Sequence, residues 1–281
     1  MDTNTRKPYL SDLTDAQWAV LEPLLPPAKP GGRERTVNLR EVMNTLLYQA
    51  RTGCQWAYLP HDLLPKSTVW DYFNAWKQDG TWQVIMDALR RRVRTEKGKE
   101  EDPSAGVIDT QSVATHHQGA QSDVDGGKKV KGRKRHIVVD TLGLLLAVTV
   151  TAASLHDGRS APEVLSKLDK RTTRRLEVIF ADAKYRTDPL DVWIERQRQP
   201  YRIEVVSRPS GRTFKVLPMR WVVERTYAWL GRNRRLSKEY EATTTSSEAW
   251  MQVGMIHLML KRLKPSKRTK SYPEFTYRAR A

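Results

Sequence analysis

The hydrophobic pattern of this chain changes period once, near residue 100, and that change limits the fold more than any other feature. Before it, apolar residues recur at helical spacing and no strand signal occurs. After it, short β-branched runs alternate with helical stretches. In the first part, Ser11 to Asp15 supplies N-cap chemistry and Trp18, Leu21, Leu24 and Leu25 follow at helical spacing until Pro26 and Pro27 stop the helix. A Pro-, Gly- and Arg-rich linker to Val37 precedes a second amphipathic helix, Leu39 to Ala50, that ends near Gly53. Lys66 to Trp76 and Thr81 to Arg94 are the third and fourth helices, the third with Ser67-Thr68 in a capping position. Short helices with tight joins fit an all-α helix-turn-helix-type domain over 1–100. Its third helix carries the candidate DNA-reading residues Lys66, Asn74 and Lys77. Trp70, Phe73 and Trp76 on that helix read better as bundle core.

The charged, turn-like stretch from Glu96 to Ser104 marks a boundary. Val107 to Val113 reads as a strand, and His136 to Asp140 with Leu144 to Thr151 as a hairpin turning through Thr141-Leu142-Gly143. Leu144 to Val150 is apolar on both faces, as in a strand covered on both sides. A helix over Ala161 to Lys170, a strand over Val178 to Ala181, a helix over Pro189 to Arg198 and a strand over Ile203 to Val206 follow. Arg220 to Arg235 and Ser246 to Leu263 are long closing helices. The expectation for 101–264 is an α/β domain built on a mixed sheet flanked by helices. Residues 265–281 are a basic tail.

The charge balance selects the partner. Against 32 Asp+Glu the chain carries 49 Lys+Arg, a formal charge of +17. Such a surface favours nucleic acid, because each phosphate neutralised releases counterions. A membrane is the poorer partner, since no apolar stretch approaches the roughly 20 residues that span a bilayer. The single cysteine, Cys54, and an N-terminus without a signal-peptide core point to the cytoplasm.

Within this basic chain three acids stand out. Asp109 and Asp182 each close a short apolar run at or near a strand end, and Glu224 sits in an Arg-rich helix. If the strands are neighbours, all three reach one point. Close carboxylates repel unless a cation neutralises them, and oxygen donors favour Mg²⁺ or Mn²⁺. Two such ions would activate water or a DNA 3′-hydroxyl for phosphoryl transfer. Small residues at Ala228 and Gly231 leave room beside Glu224 for a DNA backbone. The alternatives are turn-capping aspartates and an ordinary Arg220–Glu224 helix ion pair.

Six of the eight residues from Lys128 to Arg135 are basic: Lys128, Lys129, Lys131, Arg133, Lys134 and Arg135. They read as a Gly-bearing loop clamping DNA beside Asp109. Arg225, Arg232 and Arg235 repeat the pattern near Glu224, and from Lys261 onward there are eight Lys or Arg and one acid. His116-His117 reads as a polar loop. Trp221 and Trp229 read as helix core, with stacking on an unpaired base the alternative.

The three acidic segments, with Gly126 to His136 and Ser154-Leu155-His156-Asp157, resemble DDE transposases of bacterial insertion sequences, most closely insertion-sequence family five. The resemblance covers nearly the whole chain. It implies a ribonuclease H-like core, with Asp109, Asp182 and Glu224 as catalytic and metal-binding triad. It also implies binding of double-stranded DNA at terminal inverted repeats, strand cleavage and strand transfer, by copies acting together on paired ends. His156 and Asp157 are expected to support the triad rather than ligate metal. The broader group spaces Tyr, Arg, Glu and Lys along the Glu-bearing helix. Here Arg220 and Glu224 keep their relation, Leu217 stands for Tyr, and Arg232 is the residue expected to take over from Lys at the DNA phosphate. The rivals are a metal-dependent nuclease of the same fold without strand transfer, and a catalytically silent DNA-binding regulator.

Overall fold

The computed structural model describes residues 6–28, 31, 34–115, 122–206 and 219–266. His116, His117, Leu217, the Arg220 side chain and the tail beyond 266 lie outside the described residues.

Four helices precede residue 100. α1 (Asp15–Leu21) starts at a capping box in which Thr14 and Gln17 satisfy each other's backbone N–H groups, and a 3₁₀ turn at Glu22–Leu24 carries it to the prolines. α2 (Leu39–Thr52) is capped by the Asn38 side chain and closed by Gly53 at φ 74°, a left-handed residue that glycine adopts without a Cβ clash. α3 (Lys66–Gln78) starts one residue before Ser67, directly after Pro65, and has no side-chain cap. The capping position expected at Ser67-Thr68 therefore falls inside its first turn. α4 (Thr81–Glu96) follows after a turn held by Asp79, whose carboxylate accepts from Thr81 N at 2.9 Å.

The sheet comprises β1 (Ala105–Ala114), β2 (Asp123–Asp125), β3 (Val130–Asp140), β4 (Leu145–Ala152), β5 (Val178–Ala181) and β6 (Arg202–Val205). Its order is β2-β3-β1-β5-β6, and β4 pairs with β3 beside β2. β1, β3 and β4 form an antiparallel meander, and β5 and β6 extend it parallel to β1. This is the expected mixed sheet. α5 (Asp157–Leu165), α6 (Lys170–Arg175) and α7 (Asp188–Arg196) link the later strands, and α8 (Arg220–Gly231) and α9 (Thr244–Leu263) close the fold. Two short helices, α5 and α6, replace the one expected over Ala161 to Lys170. The first begins four residues earlier, because Asp157 and Gly158 fit a first turn and Pro162 interrupts only one backbone bond.

The β3–β4 hairpin turns where the sequence places it. Asp140 Oδ1 accepts from Leu142 N at 2.9 Å and Leu144 N at 2.8 Å. Gly143 has φ 78°, and a Cβ there would meet Thr226 Oγ1 at 2.7 Å. No larger residue fits.

Side chains alternate across the sheet, so each strand feeds two cores. Ile108, Val138, Leu146, Ile179 and Ala181 pack on one face with Val164, Leu165 and Leu190 of α5 and α7. Val107, Ile137, Val139, Leu145 and Val148 pack on the other, in a cluster that also holds α1–α4, α8 and α9. The early helices thus share their core with α9: Phe73 stacks on Trp250 with ring centroids 4.7 Å apart. Charge locks the same junction. Arg90, fully buried, reaches Asp87 and Thr172, and Arg94 meets Asp140 at 2.7 Å. The outer backbone of β4 is capped by side chains: Gln83 donates to Leu146 O at 3.2 Å, Arg90 to Leu145 O at 3.4 Å and Lys167 to Val148 O at 3.3 Å, while Glu248 accepts from Val150 N at 2.9 Å.

Candidate active site

Asp109 lies in the middle of β1 rather than at a strand end, since the strand continues to Ala114. Its neighbours explain the difference: Arg135 and Lys134 of β3 pair with Gln111 and Ser112, so the ladder runs on where the basic sequence suggested a loop. β1 also pairs with β5, Val107 opposite Phe180. Two residues further, the same register brings Asp109 level with Asp182, which directly follows β5. Adjacent strands run about 4.8 Å apart, and side chains two positions apart share a face. Val107 and Phe180 both pack into the cluster on the face that holds α8, so Asp109 and Asp182 extend toward that face. Local bonds fix both acids. Asp109 Oδ1 accepts from Thr110 N at 2.7 Å, and Asp182 Oδ1 caps the turn Ala183–Tyr185 by accepting from Lys184 N at 3.0 Å.

α8 crosses this face and is pinned to it. The Tyr227 hydroxyl lies 2.7 Å from Arg135 O and 3.1 Å from Asp109 O. Thr226 Oγ1 lies 2.8 Å from Gly143 O. Burial, with the Asp109 charge adding to it, pushes the Tyr227 phenol well above its ordinary value, so it stays a hydrogen-bond donor. Glu224 lies one turn before Tyr227 on the exposed crest of α8, together with exposed Ala228 and Gly231. A Cβ at Gly231 would meet nothing within 4 Å.

The trio does not close. Among the described residues no three His, Cys, Asp or Glu side chains form a group that could hold a metal ion. The aspartate pair offers hard oxygens of the kind Mg²⁺ and Mn²⁺ take, while Glu224 remains on the crest. The Tyr227 anchor holds α8 on the sheet with Glu224 on its exposed side.

Beneath Asp109, on the opposite face, Asp157 is 3% exposed. It pairs with Lys134 at 2.8 Å and Lys184 at 3.3 Å, and accepts from Thr110 Oγ1 at 3.0 Å. Burial alone would raise its carboxyl. The Lys134 bond and the Lys134 and Lys184 charges outweigh burial and hold the carboxyl below its usual range. Asp157 thus fixes the residue next to Asp109 and the one two beyond Asp182. His156 is exposed and caps nothing with its side chain.

The basic segment divides. Lys128, Lys129 and Lys131 are exposed. Arg133, Lys134 and Arg135 are buried in β3, which corrects the loop expectation for them. Arg133 meets Glu239 at 3.4 Å and donates to Glu241 O at 2.7 Å, and Arg135 meets Glu239 at 3.1 Å and donates to Leu236 O at 2.7 Å. Their charge is spent on holding the α8–α9 connection. A buried cation already paired with an internal carboxylate is a poor phosphate ligand, so the expected DNA role of these three is corrected to a structural one. The same holds for Arg235, which pairs with Glu241 at 2.7 Å and lies over Trp250 at 4.5 Å. Glu239 is 0% exposed, and as a single acid between Lys238 and Tyr240 it gave no sequence signal of that role. Arg232 is exposed at the C-cap of α8.

On α3, Lys66 is exposed and Asn74 half-buried, while the Lys77 ammonium reaches Ser246 Oγ of α9 at 3.2 Å. Phe73 and Trp76 are core, as expected. Trp70 is not, at 48% exposed. It lines a cleft of about 370 Å³ with Asn74, Lys77 and Thr243.

Comparison with known proteins decides the family. Residues 100–259 match the family described as "Transposase DDE domain", and residues 13–86 match "Putative transposase of IS4/5 family". The chain belongs to the DDE-domain transposases. It is 30% identical over 134 residues to a Burkholderia cepacia protein named "Putative transposase for insertion sequence element IS402", covering 44% of this chain and 60% of that one. It is also 30% identical over 108 residues to the "Insertion element IS402 uncharacterized 16.2 kDa protein" of the same organism, covering 36% of this chain and 71% of the relative. The chain thus spans less than two thirds of the IS402 transposase it matches. The DDE-domain match takes in Asp109, Asp182 and Glu224, and the second match ends within α4. No helix among the described residues of this DDE-domain chain is long and apolar enough to cross a membrane.

Proposed function

We propose that this chain is a DNA transposase with a ribonuclease H-like core. It binds terminal inverted repeats of an insertion sequence, cleaves at the element ends and joins them to target DNA in the cytoplasm. Asp109, Asp182 and Glu224 are its acidic residues. Mg²⁺ or Mn²⁺, when bound at the aspartate pair, supplies the positive charge that phosphoryl transfer needs.

The observation that carries the reading is the register of β1 and β5, which aligns Asp109 with Asp182 on the face crossed by the Glu224 helix. The sheet order supports the core assignment, and the net charge of +17 supports a polyanionic substrate. The N-terminal helices, with exposed Lys66 and the cleft beside Asn74, are the part we assign to end recognition. Copies of the chain act together when two ends are paired.

The alternatives are a metal-dependent nuclease of the same fold without strand transfer and a DNA-binding protein without catalysis, against which the intact acids Asp109, Asp182 and Glu224 argue. One assay separates the readings. Purified protein is offered pre-cut element ends and a supercoiled target with Mg²⁺ or Mn²⁺. Joined product that disappears in Asp109→Asn supports the transposase. Hydrolysis without joining points to a nuclease, and binding with neither reaction points to the silent regulator.

A further inference from the structure

On the flank of α8 opposite Tyr227, four side chains alternate aromatic and cationic. The Arg225 guanidinium lies 4.3 Å from the Trp221 ring centre and 4.5 Å from that of Trp229. Arg262 of α9 lies 4.2 Å from the Trp229 centre. Trp221, Arg225 and Trp229 are four residues apart on one helical stripe, so the ladder follows from spacing. It is open to solvent at its Trp221 end, 47% exposed.

Neither Arg225 nor Arg262 has a carboxylate within ion-pair distance among the described residues. The acid whose charge bears on both is Asp140, already bound to Arg94 at 2.7 Å. Burial lowers the pKa of both guanidiniums, and the Arg225 charge lowers that of Arg262 further. Two like charges share the Trp229 indole, with no carboxylate between them among the described residues.

Stacking occupies the faces of a guanidinium and leaves its in-plane N–H groups to bind elsewhere. Arg225 uses Nη2 on Leu142 O at 3.3 Å, and its Nε is buried without a hydrogen-bond partner among the described residues. Arg262 donates to no described residue. The fork geometry of these edges suits phosphate oxygens.

We propose that Trp221, Arg225, Trp229 and Arg262 form a phosphate clamp for the backbone of duplex DNA lying along the crest of α8. Charge complementarity selects this occupant, since the clamp presents two cations that have no ion pair among the described residues, on a chain of +17. Glu224 and Ala228 lie between the clamp and the Asp109 side of the helix, so a strand held here passes beside Glu224. The proposal rests on the DNA-binding half of the function above and not on its chemistry.

The test is the salt dependence of binding to duplexes of unrelated sequence, read by fluorescence anisotropy in a potassium chloride series. Every phosphate that a variant leaves unneutralised removes about 0.9 from the slope of log affinity against log salt. Arg225→Gln with Arg262→Gln is expected to lower the slope by about 2 and to weaken binding at least about tenfold on every sequence. Arg225→Lys with Arg262→Lys is expected to retain most of the slope. Arg262→Gln alone breaks no hydrogen bond to a described residue and should lower it by about 1, which keeps the test valid if the double variant fails to fold. An unchanged slope in the folded glutamine variants overturns the clamp, as does a wild-type protein with no affinity for duplex. Wild-type binding with the expected fall in slope but no metal-dependent strand cutting leaves the clamp standing and removes the transposase reading.

Discussion

Tyr227 fastens α8 to Asp109: its hydroxyl lies 3.1 Å from the Asp109 carbonyl and 2.7 Å from that of Arg135 on the adjoining strand. One phenol therefore couples the helix that carries Glu224 to the strand that carries Asp109. A phenylalanine keeps the packing and removes the tie. Tyr227→Phe is expected to cost about 1 kcal/mol of stability and to reduce strand joining much more than DNA affinity. Denaturant melts and the joining assay check this, and equal joining in both proteins counts against the coupling.

Asp157 gives a pH-dependent prediction. Its carboxyl is held below the usual range in the folded chain, so its stabilisation is present above the unfolded value and is lost as pH falls through the folded one. Asp157→Asn leaves buried Lys134 with only the longer 3.9 Å ion contact to Asp125 among the described residues and is expected to cost on the order of 3 kcal/mol at pH 7. The difference from wild type should narrow below about pH 4. A gap that is constant from pH 7 to pH 3 refutes the assignment.

The buried histidines act over a higher range. Burial lowers His136 to about 4 and His257 to about 3. The unfolded chain takes up these protons first, so stability is full above about pH 6.5 and declines from there toward the folded values, by on the order of 3 kcal/mol per histidine. His257→Leu should flatten the stability profile between pH 6.5 and pH 4. An unchanged profile would show that His257 is not held neutral.

Glu239 stands between Arg133 and Arg135 at 0% exposure. Glu239→Gln removes the buried counter-charge that both guanidiniums meet and is expected to cost about 3–5 kcal/mol. The loss should appear as a lower melting temperature, with the salt slope of DNA binding unchanged because these arginines are internal. A steepened or weakened slope would return Arg133 and Arg135 to the DNA surface.

The end of α2 and the hairpin were legible because their signals are local: Gly53 closes α2, and Gly143 marks the turn, whereas α3 and α5 start without a side-chain cap. The Asp109–Asp182 pairing was legible as a possibility, since each acid follows a β-branched run, but its register came only from the ladder. The segment from Val130 to Arg135 misled because lysine and arginine mark a loop only when no acid awaits them. Here Glu239 and Asp157, more than 20 and up to 106 residues away, turn a basic run into a buried strand. Trp70, Trp221 and Trp229 share a composition with core residues such as Phe73, and only the placement of α3 and α8 separates an exposed indole from a buried one.

The side chains of Gln83, Arg90, Lys167 and Glu248 occupy the backbone groups along the outer margin of β4. A second copy of the chain cannot zip a strand onto that margin without first breaking those bonds. Among the described residues, a partnership between protomers that lengthens the sheet is left the short β2 and the far margin at β6, which gives the molecule a direction for assembly.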